Sequence, residues 1–252
     1  MCTIGAIHIS EDEHFLFKNK DFSRPEYTDR IKRTDHLWGA EGLETFSADP
    51  NEEDIYSGLS IGANKHGLFV ADSHVQITGT SASNYDILVE TALELGQDIE
   101  TALTALRIRI TENPSWWGNL VLADASGTAA IEVRDSQLQV IRNPSRILRT
   151  NHQHLHGPND GLENNNSNSY GRFDWGSGRL DNINRINDIK AMLASHDADT
   201  THGTQTGICN HTYSQTVCSY ILHYQKGTTT LYSLQGQPCR KVGYTEQELF
   251  AS

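Results

Sequence analysis

The apolar positions of the chain fall first into strand-like runs and only later into helical spacing. Met1 to Ile9 reads as a buried strand, Ser10 to Glu13 as a polar turn and His14 to Lys18 as a returning strand. That hairpin brings Lys18 to Phe22 back beside the start of the chain. Leu59 to Ala63 and Leu68 to Ala71 form a second hairpin-like pair around Asn64 and Gly67, two residues expected to shape a turn. Ser83 to Asp86 has the form of a capping box, and Ile87, Leu88, Ala92 and Leu95 follow at helical spacing up to Gly96. Ile99, Ala102, Leu103, Leu106 and Ile110 mark one face of a second helix that ends before Pro114. Strands are expected at 120–123, 129–133 and 138–141, and Ile147 to Thr150 leads into Asn151. Beyond an Asn-rich loop at 164–168, Leu180, Ile183, Ile186, Ile189 and Leu193 predict one more helix, before strands at 218–224 and 228–234. This alternation suits an α+β protein of packed layers.

Composition narrows the picture. The 252 residues contain no Pro- or Gly-rich linker, and 37% hydrophobic content is ample for a core, so a single domain spanning 1–252 is expected. With 32 acidic against 20 basic residues the formal charge is −12, which disfavours nucleic acid and anionic membranes as partners. No apolar run approaches the ~20 residues of a membrane span, and no basic segment followed by an apolar one opens the chain, so a cytoplasmic location is expected. Oligomeric state is left open, a homo-oligomer among the alternatives. Cys2, Cys209, Cys218 and Cys239 show no Cys-x-x-Cys spacing, so structural zinc is not expected and no cofactor is implied. The last three are expected to be small buried hydrophobes in the closing strands.

The candidate chemistry is at the very start. Removal of Met1 would leave Cys2 with both a thiol and a free α-amine. A free thiol titrates near about 8.5 and an α-amine near about 7.7–8.0, so the amine can accept the thiol proton at neutral pH. One residue then supplies nucleophile and base. The predicted hairpin sets Asp21 to hold the amine by a charge-assisted hydrogen bond and Lys18 to favour the thiolate.

Met1-Cys2-Thr3, Asn19-Lys20-Asp21 and Asn64-Lys65-His66-Gly67-Leu68 together resemble the hallmarks of the N-terminal-nucleophile (Ntn) linear amide hydrolases. That group takes in choloylglycine hydrolases with penicillin V acylases, the acyl-coenzyme A:6-aminopenicillanic acid acyltransferases and secernin-like dipeptidases. Thr150-Asn151-His152 is similar to the element whose Asn supplies an oxyanion donor, and Ser177-Gly178-Arg179 resembles the site-arginine segment. The closing segments, 208–211, 216–219 and 236–239, look like those of the acyltransferase-like branch. The hallmarks run in family order through nearly the whole chain. The resemblance implies a four-layer αββα sandwich, two antiparallel sheets between helical layers. It also implies a small linear amide as substrate, cleaved through a Cys2 thioester with Cys2, Asp21, Asn151 and Arg179 as catalytic residues. Lys18 and the backbone amide near His74 would serve substrate or oxyanion. Lys18 stands where bile salt hydrolases usually have Arg, and a lysine offers no planar bidentate fork, which disfavours bile acids.

Acyl transfer and dipeptide cleavage are the alternatives within the same site. A different class of protein would use His152, His154 and His156, which alternate and would share one side of a strand, to bind metal, together with His211. Gly157 to Gly161 ends any such strand at once, so polar loop histidines are the plainer expectation. A noncatalytic protein retaining the fold is a third alternative, because the sequence does not show that Met1 is removed.

Overall fold

The computed structural model describes residues 1–45, 49, 51–79, 81–143, 145–156, 169–196, 207–211, 214–241 and 243–250. The first hairpin forms as the sequence predicts, but its strands run longer: β1 spans Cys2–Ser10 and β2 spans Glu13–Phe22. Short strands β3 (Ile31–Arg33) and β4 (Leu37–Leu43), which carry no clear alternation, precede β5 (Tyr56–Asn64) and β6 (Phe69–Gln76). Helices α1 (Asp86–Leu95) and α2 (Ile99–Glu112) lead into β7 (Ser115–Asp124), β8 (Gly127–Asp135), β9 (Gln137–Asn143) and β10 (Arg146–Arg149). Then come α3 (Ser169–Leu180), α4 (Ile186–Leu193), β11 (Gln215–Gln225), β12 (Thr228–Gln235) and β13 (Thr245–Phe250).

The strands make two antiparallel sheets, one of six strands in the order β10-β1-β2-β11-β12-β13 and one of seven in the order β3-β4-β5-β6-β7-β8-β9. Three apolar clusters separate four layers. Ile4, Ala6, Leu16, Ile61, Phe69 and Val121 belong to the cluster between the sheets. Leu88, Val89, Leu103 and Leu106 pack α1 and α2 on the seven-stranded sheet, and Phe15, Phe17, Leu180, Ile189 and Leu193 join α3 and α4 to the six-stranded one. The αββα sandwich is therefore observed. Because β1 and β2 are covered on both faces, Ile4 to Ile7 and Phe15 to Phe17 read as continuous apolar stretches.

Several local expectations need correction. The capping box expected over Ser83 to Asp86 does not form; the residue before α1 is Tyr85, without a side-chain cap, while a reciprocal box occurs at α2 between Asp98 and Thr101. The Asn84 amide donates instead to the Leu43 carbonyl, Ser57 and Asp86. The predicted single helix through 180–193 is two, and most of α3 was hidden by its glycines and polar residues. Cys218 lies in β11, but Cys209 and Cys239 lie outside the strands. The Asn-rich stretch 164–168 falls outside the described residues. At Asn64 the turn reading agrees with the geometry: its side chain accepts from the His66 and Leu68 amides, and Gly67 takes the left-handed φ of 80°. Among the described residues no helix is long and apolar enough to cross a membrane.

One stability prediction arises from the core. His14 is 1% exposed, bonded to the Gly67 carbonyl and stacked on Tyr224, and burial lowers its pKa from 6.5 to about 4. The folded chain therefore refuses a proton that the unfolded chain accepts. This contribution is complete above pH 6.5 and is lost as pH falls toward 4, at roughly 1.4 kcal/mol per unit. The urea midpoint should drop across that window, and His14→Gln should make the drop shallower, the remainder coming from His74 and His152, whose pKa values burial also lowers; an unchanged slope in the variant would remove His14 as a source.

Candidate active site

Strand periodicity sorts the residues around Cys2 before any chemistry is considered. Successive side chains of a strand point to opposite faces. Cys2, Ile4 and Ala6 therefore face the opposing sheet, whereas Thr3 faces the α3 and α4 layer. In the hairpin, Cys2 lies opposite Lys20, Thr3 opposite Asn19 and Ile4 opposite Lys18. On β2, Lys18 and Lys20 point between the sheets, and Asn19 and Asp21 point toward the helical layer. Lys18 and Asp21 thus approach Cys2 from different sides of one sheet.

On the inter-sheet side, the Lys18 ammonium donates to the Ser60 carbonyl at 2.8 Å, the Asp72 carbonyl at 2.9 Å and the Asp72 carboxylate at 3.0 Å. All its protons are used. Burial opposes its charge, but Asp72 and Cys2 more than offset that effect and leave its pKa above the ordinary lysine value. Lys20 is likewise committed, to Asp29, Tyr27 and the Glu41 carbonyl. Burial and the neighbouring Asp72 push the pKa of the Asp86 carboxyl well above its ordinary value. Lys18, Lys20, Asp72 and Asp86, with Met1, Phe22, Leu43, His74 and Tyr85, line a cleft beside Cys2 whose free volume with Met1 in place is about 30 Å³.

On the helical side, Asp21 is held by two residues of the C-terminal part of the chain. Its carboxylate accepts from Thr216 Oγ1 at 2.7 Å and from Asn210 Nδ2 at 3.4 Å, with the Arg172 guanidinium 3.9 Å away. Burial raises its pKa, while Arg172, the terminal amine and the two hydrogen bonds favour the charged form. The Met1 amine donates to the Asp21 carbonyl at 2.8 Å, and the Asp21 amide donates back to the Met1 carbonyl at 2.7 Å.

Asn151 follows β10, and its backbone is pinned from several directions. Asn119 donates to the carbonyls of Thr150 and His152, the Asn151 amide donates to Ser169 Oγ at 2.7 Å, and Glu132 accepts the His154 and Leu155 amides. The Asn151 side chain accepts from the Cys2 nitrogen at 3.2 Å and from Arg172 Nη2 at 2.6 Å. A guanidinium only donates, which fixes the orientation of the Asn151 amide. Its Nδ2 then donates to the His74 carbonyl at 2.7 Å, leaving a second proton on the same nitrogen. His74 sits at a β-bulge: His74 pairs with Gly118 and Gln76 with Trp117, so Val75 is the extra residue and is out of the ladder. The His74 ring is 3.1 Å from Tyr85 Oη, and burial with the nearby terminal amine lowers its pKa to about 3, so the imidazole is neutral.

The arginine that the structure brings to Cys2 is Arg172, not Arg179. Arg172 is fully buried and donates to the Cys2 carbonyl at 2.9 Å, to Thr3 Oγ1 at 2.8 Å and to Asn151. Arg179, two helical turns later, bonds the Trp175 carbonyl and lies over the Trp175 ring. The two residues are seven apart and share a helix face, so spacing alone does not separate them. What separates them is burial in the fold, with Arg172 fully buried and Arg179 half-buried, which the sequence does not encode locally.

The histidines named as a metal cluster are not gathered around one point. His152 bonds Ser169 and stacks on Tyr170, His156 faces the Glu132 carbonyl, and His211 lies with His196 instead. Within this loop the His152 and His154 rings do meet, with centroids 4.5 Å apart, but His156 and His211 turn to other partners.

The sequence matches no protein-family model and no curated protein. Among solved structures, the chain is similar to a variant of the conjugated bile acid hydrolase from Clostridium perfringens, at 13% identity and a TM-score of 0.52, over 98% of this chain and 96% of that one. It is also similar to the Caenorhabditis elegans ortholog of N-acylethanolamine-hydrolyzing acid amidase, at 12% identity and a TM-score of 0.51, over 88% of this chain and 92% of that one. At such identities the likeness speaks to architecture, and the architecture they share with this chain is an αββα sandwich of two antiparallel sheets between helical layers.

Proposed function

We propose that the protein hydrolyses small linear amides with Cys2 as nucleophile after loss of Met1. The observation that carries this reading is the convergence on one residue: Asn151, Arg172 and Asp21 surround the backbone end of Cys2, while its side chain faces the cleft. With Met1 removed, the Cys2 nitrogen becomes an amine that takes the thiol proton, and the thiolate attacks the amide carbon. The second Nδ2 proton of Asn151 and a backbone N–H at the His74–Val75 bulge stabilise the tetrahedral oxyanion. The amine then returns the proton to the leaving nitrogen, and water cleaves the thioester. Asp21 orients the amine, and Lys18 holds positive charge near the thiolate without offering a free donor. The two structural neighbours are named for hydrolysis of bile acid conjugates and N-acylethanolamines, both amide substrates, which supports the reaction class.

The cleft also favours a neutral acyl group, because both lysines lining it have their protons committed. The test is a panel of N-acyl ethanolamines, N-acyl amino acids, dipeptides, phenoxyacetyl amides, bile salt conjugates and casein. Hydroxylamine is added to capture the acyl-enzyme as a hydroxamate. Small-amide turnover with hydroxamate is expected, and neutral acyl groups should be preferred. Casein cleavage without turnover of any small amide would refute the reading.

A further inference from the structure

Away from the cleft, four side chains with metal-ligating atoms meet at the junction of α4, the segment before β11 and the segment after β12. His196, Cys209, His211 and Cys239 each offer one ligand atom, and these atoms all lie within 4.8 Å of one another. His196 Nε2 is 3.0 Å from His211 Nε2, which is also 3.1 Å from Cys239 Sγ and 3.6 Å from Cys209 Sγ. One imidazole nitrogen carries either a single proton or a single lone pair. It cannot satisfy three such neighbours by hydrogen bonding. A cation among the four ligand atoms satisfies all of them together.

We propose that these residues bind one zinc ion as a closed structural site. Zinc prefers four tetrahedral N and S ligands, with bonds of about 2.0–2.1 Å to His and about 2.3 Å to Cys. Those lengths put ligand atoms roughly 3.3–3.8 Å apart, inside the range seen here, from 3.0 Å up to the 4.8 Å that bounds all four atoms. The donor set is two imidazoles and two thiols, a borderline-soft combination that favours zinc over magnesium or calcium. All four positions are filled by protein, so no site is left for substrate or water. The sequence concealed the site because its ligands are not paired in a short motif: they come from chain segments separated by 13, 2 and 28 residues, as the numbering of the four positions shows.

The ion has a structural task and takes no direct part in the chemistry at Cys2. It joins the end of α4 to the segment 207–211, where the Cys209 amide already donates to the Ser195 carbonyl at 3.1 Å. Asn210 lies between two of the ligands and exchanges hydrogen bonds with Thr216. Both Asn210 and Thr216 donate to Asp21. The metal therefore fixes the far support of that carboxylate.

The experiment uses the full chain, purified without a metal-affinity step, loaded with zinc and desalted. Elemental mass spectrometry should find about one zinc per chain. Cys239→Ser and His211→Gln should each lower retained zinc at least about tenfold, while Cys218→Ser, in β11, should keep it. Cobalt loaded in place of zinc should give the strong visible bands of a tetrahedral thiolate site, and these should be absent in Cys239→Ser. Wild-type chain that retains less than about a tenth of an equivalent would overturn the proposal, as would zinc content unaffected by both ligand substitutions. A Cys209–Cys239 disulfide in the purified chain, read from intact mass before and after reduction, would also overturn it. Should a variant fail to fold, the wild-type cobalt spectrum decides alone: its absence after loading refutes the site.

Discussion

Protein that retains Met1 should be inactive, and Cys2→Ala should lower turnover by a factor on the order of 10⁴ or more. Both follow from placing nucleophile and base on one residue. With Met1 present, the Cys2 nitrogen is an amide that donates to Asn151 and has no basic lone pair. Met1 also lines the cleft and trades two backbone hydrogen bonds with Asp21, so it obstructs the volume a substrate would enter. Cys2→Ala removes the sulfur while leaving the strand intact, because the side chain is small and lies at the end of β1. Intact mass separates processed from unprocessed chains, and a single-turnover assay on each measures the effect. Full activity in the Met1-bearing fraction would eliminate the amine as base.

The next largest effects are expected at Asn151 and Arg172. Asn151→Ala removes a donor aimed beside the Cys2 nitrogen and should lower kcat by about 100-fold or more, with little change in KM. Arg172→Leu would leave Asp21 buried with its neighbouring cation gone, at a cost of about 3–5 kcal/mol in stability. Arg172→Lys is therefore the informative change. It keeps the charge but cannot donate at once to the Cys2 carbonyl, Thr3 and Asn151 as the guanidinium fork does. A folded Arg172→Lys protein with kcat reduced at least about tenfold is expected, because Asn151 loses the donor that fixes its orientation. Arg179→Ala should leave kcat within about twofold, since its guanidinium lies over Trp175. Wild-type turnover in Arg172→Lys, or a large loss in Arg179→Ala, would reverse the assignment.

The contrast between the two arginines shows where sequence reading stops. The first hairpin was legible because apolar stretches buried on both faces flank a polar turn, and its register then follows from chain geometry. The helix face of α2 was legible for the same reason, with Ile99, Ala102, Leu103, Leu106 and Ile110 all buried. Helix α3 was not, because Gly171, Gly176 and Gly178 dilute its apolar stripe and lower its intrinsic helix preference. Asp21 was named from its place two residues after Asn19. Its holders Thr216 and Asn210 were not, because they are distant in sequence and are brought there by pairing of β2 with β11. The four clustered histidine and cysteine residues escaped notice for a similar reason: side chains from three separate segments converge only once both closing strands are in place.

The pairing of β1 and β2 with strands from the far end of the chain also sets an order of events during synthesis. β10 and β11 flank the first hairpin, and their residues lie some 140 to 220 positions after Cys2 in the sequence. Until both have left the ribosome, the first strand has no complete sheet to join, and the Met1–Cys2 bond is open to a processing peptidase. Once the sheet closes, the Met1 amine and carbonyl are tied to Asp21. The maturation proposed above is therefore expected on the nascent chain: folded protein that still carries Met1 should resist an aminopeptidase, and denatured protein should not. A host whose methionine aminopeptidase is saturated by overproduction would then accumulate correctly folded chains that can no longer be matured.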